Sequence, residues 1–226
     1  MPNNSPLTLR VLARLLSYPD GELRSHLDEL GSALHQEKAL GAARLAELDA
    51  LIRSLATRDA IAVEADYVQL FDRGRSTSLH LFEHVHGDSR DRGPAMIDLA
   101  QTYEKAGLYL AEGELPDYLP VVLEFVSTQP AREAKAFLGE MAHILNAIFS
   151  ALVKRGSAYA SVLGALLEIA GERAQAVKVA EDQPIDESWE EPVVFGGCST
   201  EGQAKPGQPQ PIRIVRNVAQ NNAPGV

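Results

Sequence analysis

Three histidines, His80, His84 and His86, fall within seven residues of one another. Histidines at i and i+4 present two imidazoles on one helix face, so His80 and His84 could ligate a metal, with Glu83 or Asp88 completing the site. The spacing is not the HExxH of a zinc hydrolase, because no glutamate follows His80 directly. Around them, Arg73, Arg75, Arg90 and Arg92 alternate with Asp72, Asp88 and Asp91. Such a pattern either closes on itself as ion pairs that hold a loop, or presents guanidinium forks to an anionic ligand such as a pyrophosphate. No other chemistry is signalled. Phosphate-binding GxxxxGKS/T and GxGxxG runs are absent, as is GxSxG. The one cysteine, Cys198, lies near the C-terminus and excludes a disulfide framework or a CxxC knuckle. Tyr103-Glu104, Glu112 and Glu114 are not paired into an acid/base couple. The sequence therefore predicts no catalytic residue and no resident cofactor.

The elements that carry these residues are read from apolar spacing. Leu45, Leu48, Ile52 and Leu55 recur at three- and four-residue steps. So do Met96, Leu99, Tyr103 and Leu110; Phe137, Met141, Leu145, Ile148 and Leu152; and Leu163, Leu166, Ala170, Ala174 and Val177. Strand-like alternation is missing. Pro19-Asp20-Gly21, Gly93-Pro94, Gly113, Pro130 and Gly156 punctuate the pattern. The reading is an all-α, single-domain bundle of about eight helices, over 7–18, 21–36, 40–57, 59–71, 94–111, 117–127, 131–154 and 157–180. The domain spans 1–180, and 181–226 form an acidic, Pro/Gly-rich, flexible tail. Six of the 13 prolines lie in that tail. Two apolar pieces interrupt it, Trp189 to Phe195 and Ile212 to Val215.

Composition narrows the function. Of 226 residues, 31 are acidic and 21 basic, for a net charge of −10. A nucleic-acid binder would need a positive footprint. The longest apolar window, Met141 to Val153, is too short to span a bilayer and is broken by polar residues, so no direct membrane insertion is expected. No targeting signal is evident, and the reducing cytoplasm is the expected compartment.

Two stretches depart from the helical pattern. Residues 72–93 form a polar, charged connection of a length that compact domains usually keep for function. Residues 114–126, Glu-Leu-Pro-Asp-Tyr-Leu-Pro-Val-Val-Leu-Glu-Phe-Val, place Asp117 as N-cap of an apolar helix, with Pro120 at its third position. Before the first stretch, Tyr67, Leu70 and Phe71 close a helix, and Leu70 and Phe71 are the candidates to line an apolar groove for a partner helix.

Those same stretches carry a resemblance. Tyr67-Val-Gln-Leu-Phe-Asp-Arg-Gly-Arg-Ser-Thr-Ser-Leu79, then Leu81-Phe-Glu-His-Val-His-Gly-Asp-Ser-Arg-Asp-Arg-Gly93, resemble the NarJ-type assembly chaperones of respiratory nitrate reductase. Glu114 to Phe125 is similar to that family's continuation and to the wider TorD-like pattern of Pro-x-Asp-His before an apolar helix. The likeness covers about residues 8–180, and Trp189 to Phe195 is also similar. Here Tyr118 stands where the family usually has His, keeping an aromatic ring with a polar tip but losing a group that titrates near neutral pH. The resemblance implies an all-α, non-catalytic, cytoplasmic chaperone. It would bind the N-terminal segment of the nitrate reductase catalytic (alpha) subunit while molybdenum cofactor and iron–sulfur clusters are inserted, before membrane docking. Proteins that deliver the cofactor are further implied partners. The binding candidates are then Tyr67, Leu70, Phe71, Asp117 and Tyr118, with Arg73, Arg75, His84, Arg90 and Arg92 as loop candidates. The competing reading is a small helical metal- or molybdopterin-binding protein that uses the 72–93 loop.

Overall fold

The computed structural model describes residues 5–86 and 89–175. Eleven α-helices follow one another there, with no strand among the described residues. They are α1 (Pro6–Leu15), α2 (Gly21–Ser25), α3 (Leu27–Glu37), α4 (Ala42–Thr57), α5 (Ala60–Tyr67), α6 (Leu81–Val85), α7 (Arg92–Lys105), α8 (Leu119–Thr128), α9 (Ala131–Glu140), α10 (Ala142–Lys154) and α11 (Ala160–Ala170). A π-helical turn, Val68–Asp72, extends α5, and a 3-10 turn, Arg75–Thr77, follows it.

The core forms where α1 packs on α8 and α10 packs on α11. Leu9, Leu12, Leu15 and Leu16 of the α1 region, Leu119, Val122, Leu123 and Val126 of α8, and Leu145, Ile148 and Leu152 of α10 are all buried. In α11 every residue from Ser161 to Leu167 is buried, as expected of a helix with apolar residues all round. α4 and α9 pack against α11 from other sides, and α3 joins α1 to α4.

All eight expected helices are present, and the departures have local causes. The expected helix 21–36 breaks into α2 and α3 at His26, where the backbone turns to φ −107°, ψ 7°. There the Ser25 hydroxyl (2.7 Å) and the His26 ring (2.8 Å) both take the Glu22 carbonyl that a continuing helix would use. The expected helix 131–154 bends by 64° at Met141 into α9 and α10. A straight helix of that length would run about 36 Å, whereas α11 offers only about 16 Å. The bend lets both Leu138 and the Leu145/Ile148/Leu152 stripe reach α11. Two glycines end helices earlier than their stripes suggest. Gly107 (φ 80°) closes α7, so Leu110 is not helical, and Gly171 (φ 82°) closes α11, so Ala174 is not helical. At Gly171 the Glu172 N–H bonds back to the Leu167 carbonyl at 2.8 Å, the 6→1 bond that a left-handed C-terminal residue makes possible. Asn146 then accepts the Gln175 N–H at 2.9 Å, which lays this end along α10. Val177 and the expected tail lie outside the described residues.

The first helix is tied down at its start by another element. Glu37, the last residue of α3, accepts the Leu7 N–H (3.1 Å) and the Thr8 N–H (2.6 Å) with its two carboxylate oxygens. These are orphan donors of the first turn of α1, and a carboxylate there also complements the helix dipole. Glu37→Ala should therefore lower the unfolding free energy by about 1–2 kcal/mol, read from the denaturant midpoint, with Glu37→Gln recovering part of it. An unchanged midpoint in the Ala variant would refute the cap.

Candidate functional site

The irregular segment 72–91 is not left hanging from the bundle. Leu81 N–H donates to the Asp117 carbonyl (3.0 Å) and Leu119 N–H to the Leu79 carbonyl (2.9 Å), so His80 and Tyr118 face each other as an isolated antiparallel bridge. Their rings lie 5.3 Å apart. Beside the bridge, the Pro116 carbonyl accepts the Tyr103 O–H at 2.7 Å, which anchors the same stretch to α7.

Asp117 was expected to cap the helix that follows it. It does not: Tyr118 occupies the N-cap position of α8, without a side-chain cap bond. The Asp117 side chain is fully buried, at 0% exposure, and turns instead to the loop. One carboxylate oxygen accepts the Phe82 N–H (3.1 Å), and so caps the short α6. The other lies 3.3 Å from His80 Nδ1, and Arg92 Nη2 stands 3.9 Å from the oxygen that Phe82 uses. A buried carboxylate is tolerated only with such partners, and the bridge to α6 supplies more of them than a cap on α8 would. His80 is one-third exposed, and its hydrogen bond to Asp117 raises its pKa against the opposing effect of burial.

Next to this staple lies a cleft of about 500 Å³ lined by Tyr18, Tyr67, Phe71, Asp72, Leu79, His80, Gly113, Glu114, Leu115 and Tyr118. The Tyr67 O–H donates to the Leu16 carbonyl at 2.7 Å. With that proton committed, the Tyr118 hydroxyl, 3.2 Å away, donates to Tyr67. Burial raises the pKa of both phenols above the ordinary tyrosine value, that of Tyr67 far more, so both stay uncharged. Tyr18 meets the Tyr67 ring edge-on at 5.6 Å, and Phe71 lies tilted against it at 4.8 Å. The result is an aromatic wall held by hydrogen bonds, with Leu115 (44% exposed) at the lip and the carboxylates of Asp72 and Glu114 on the lining. It offers apolar surface, phenol groups and negative charge, which suits an apolar anchor flanked by a cation.

The expected site residues are thus partly gathered. Tyr67, Phe71 and Tyr118 share the cleft, and Asp117 stands behind it. Leu70 lines a different cleft, of about 470 Å³, beside Leu55, Val63 and Tyr159. The loop candidates have separate partners. Arg73 donates to Gln69 (3.4 Å), and Arg92 pairs with Glu83 (3.6 Å) as well as with Asp117. Arg75 is engaged within the fold, and Arg90 is exposed. His84 donates from Nε2 to the Ser78 carbonyl (2.9 Å) and thereby holds the loop rather than facing His80. Among the described residues no three His, Cys, Asp or Glu side chains are grouped to hold a metal ion; Asp88 lies outside them. Two contributors were missed by spacing arguments, Tyr18 and the role of His80 as the partner of Asp117. A third hollow, an apolar groove of about 640 Å³, runs between α1, α3, α8 and residues 108–110, and Glu114 lies on its lining as well as on that of the aromatic cleft.

Comparison with known proteins converges on one family. The family model described as nitrate reductase delta subunit matches residues 22–164. The nitrate reductase molybdenum cofactor assembly chaperone NarJ of Escherichia coli (strain K12) is 42% identical over 195 residues, 82% of this chain and 83% of that protein. The probable assembly chaperone NarW of the same strain is 38% identical, covering 81% of this chain and 80% of that one. The probable NarJ chaperone of Bacillus subtilis (strain 168) is 35% identical over 71% of this chain and 86% of its own. Among solved structures, a putative redox enzyme maturation protein from Archaeoglobus fulgidus shares the fold, with a TM-score of 0.52 at 21% identity over 74% of this chain and 94% of that one.

The staple carries its own pH signature. Because Asp117 raises the pKa of His80, the pair stabilises the fold fully at pH values below the ordinary histidine pKa, and that contribution is lost as pH rises through the raised one. The denaturant midpoint should fall from about pH 6.5 upward, and Asp117→Asn should flatten that dependence while keeping an acceptor for the Phe82 N–H. Asp117→Ala should cost about 1–3 kcal/mol, since it leaves the Phe82 N–H without its acceptor. Equal pH slopes in the wild-type and Asn proteins would show that His80 is not read by Asp117.

Proposed function

The chain belongs to the nitrate reductase delta subunit family, and we propose that it is a dedicated, non-catalytic assembly chaperone for a nitrate reductase. The observation that carries this is the 42% identity to an assembly chaperone along more than four-fifths of both chains. On this reading the client is the catalytic subunit of the reductase. The chaperone takes the client's N-terminal segment in the cytoplasm and keeps it available while molybdenum cofactor and iron–sulfur clusters are inserted, before docking to the membrane. Proteins that bring the cofactor are then transient partners of the same complex. The chaperone itself stays off the membrane in this scheme; no single described helix is long and apolar enough to cross one.

The aromatic cleft is where the segment binds in this proposal. Tyr67 and Phe71 form the floor, Tyr118 the wall backed by Asp117, and Tyr18 and Leu115 the lips. An apolar side chain of the client fills the cleft, and a cationic neighbour meets Asp72 and Glu114, which also speeds encounter. Carriage of a metal by the 72–93 loop draws less support, because His80 and His84 are turned to different partners. Carriage of molybdopterin by the loop draws less as well, because Arg92 is already paired with Glu83 and Asp117.

The test is calorimetry of the full chain with a synthetic peptide of the client's N-terminal segment. Leu115→Asp places a charge at the lip of the cleft without entering the core, and should weaken binding about tenfold or more. Leu70→Asp, facing the other cleft, should change the affinity much less. Equal affinity for wild type and Leu115→Asp would move the binding site elsewhere, and no binding by the wild-type protein would sink the client assignment.

A further inference from the structure

The turn that ends α5 decides which way two neighbouring charges point. It covers Val68–Asp72, and the Arg73 N–H reaches back five residues to the Val68 carbonyl at 3.2 Å, a π-helical closure of the kind that gathers at functional sites. In an α-helix, the side chain five places after Tyr67 would stand about 140° round the axis from it, away from the aromatic cleft. A turn closed over five residues brings that side chain back toward the Tyr67 face. Asp72 is that residue. It lines the cleft with Tyr67 and Phe71, and its charge acts on the phenols of Tyr18, Tyr67 and Tyr118 alike. Its neighbours turn the other way. Gln69 and Leu70 line the hollow of about 470 Å³, and Arg73 is bonded to Gln69 at 3.4 Å. The turn thus sends the acid into the aromatic cleft and the adjacent base away from it.

Two residues beyond the turn hold it in this form. Thr77 is fully buried. Its hydroxyl donates to the Leu70 carbonyl, inside the turn, and its N–H donates to the Gly74 carbonyl at 3.0 Å. Gly74 fits against that pair because it has no side chain. A Cβ there would stand 2.7 Å from the Leu70 carbonyl oxygen and would collide with the Thr77 hydroxyl. Thr77 is absent from the lining of the aromatic cleft, so whatever it does for the cleft it does through the backbone of Leu70.

We propose that this locked π-turn sets the selectivity of the aromatic cleft for an apolar side chain with a cation beside it, with Thr77 as the positioning residue that keeps Asp72 turned in. The inference rests on the client reading, and adds to it what the cleft selects and which buried residue enforces the choice. With the lock released, the aromatic wall stays and the carboxylate leaves it. An apolar anchor then still binds, and the charge beside it no longer counts.

The test is calorimetry of the full chain with two synthetic peptides, the client's N-terminal segment and a copy with its Lys and Arg residues replaced by Gln. The wild-type protein should prefer the first by about fivefold. Asp72→Asn, at an exposed position, should cut that ratio to about half. Thr77→Val should give the same reduced ratio, and Thr77→Ser, which keeps the hydroxyl, should give the wild-type one. Gly74→Ala crowds the same hydroxyl and should lower the ratio too, which provides a second variant should Thr77→Val fail to fold. A threonine that only stabilised the fold would leave the ratio where it was. A wild-type ratio near one, or an unchanged ratio in Asp72→Asn or in a folded Thr77→Val or Gly74→Ala protein, overturns the inference and leaves the client reading standing. No binding of either peptide by the wild-type protein sinks the client reading and this inference with it.

Discussion

A single buried carboxylate joins the two irregular parts of this molecule. Asp117 has no solvent to stabilise its charge, so it must keep the Phe82 amide, His80 and Arg92 around it. Each of those groups comes from the 72–92 region, and Asp117 itself is fixed at the mouth of α8, the helix that α1 packs against most. The loop therefore takes its position from this carboxylate together with its own buried side chains, Leu79 and Leu81. Tyr118, next in the chain, is carried along by the same anchor, and with it the wall of the aromatic cleft. Loss of this carboxylate would remove a fold contact and reshape a surface at once.

That coupling explains why the site was harder to read than the fold. The all-α class follows from apolar residues at three- and four-residue steps, and α11 needs only its composition to be recognised as central. The helix ends at Gly107 and Gly171 could have been found, because a glycine after a periodic run favours a left-handed close. Ala174, lying on the extrapolated stripe, masked the second one. The bend at Met141 has no local signal of that kind. It comes from the short length of α11, a tertiary demand that propensity does not encode. Asp117 gave the opposite error. A short acid before an apolar helix is the ordinary picture of an N-cap, and the amide it does cap lies 35 residues earlier.

The arginines and histidines of the loop teach a related lesson. Their density invites a ligand reading, but in three dimensions most of it is spent on holding the loop itself. His84 binds the Ser78 carbonyl, Arg92 bridges Glu83 and Asp117, and His80 completes the carboxylate pocket. The family usually places an imidazole directly after this aspartate, and here Tyr118 fills that position. An imidazole still meets the carboxylate, delivered by the loop from His80. The surface left for recognition is accordingly aromatic and acidic rather than basic, in keeping with the net charge.

The pairing of α1 with α8 has a consequence for the birth of the protein. Arg10 on α1 hydrogen-bonds Ser127 at the end of α8, 117 residues further on. On the ribosome, at about 5–20 residues per second, the leucine face of α1 emerges on the order of ten seconds before the helix that covers it. During that interval α3, with Glu37 on the first turn of α1, is the neighbour already synthesised that can shield part of it. The leucine face of α1 thus waits for cover during synthesis, as an apolar segment of a client would.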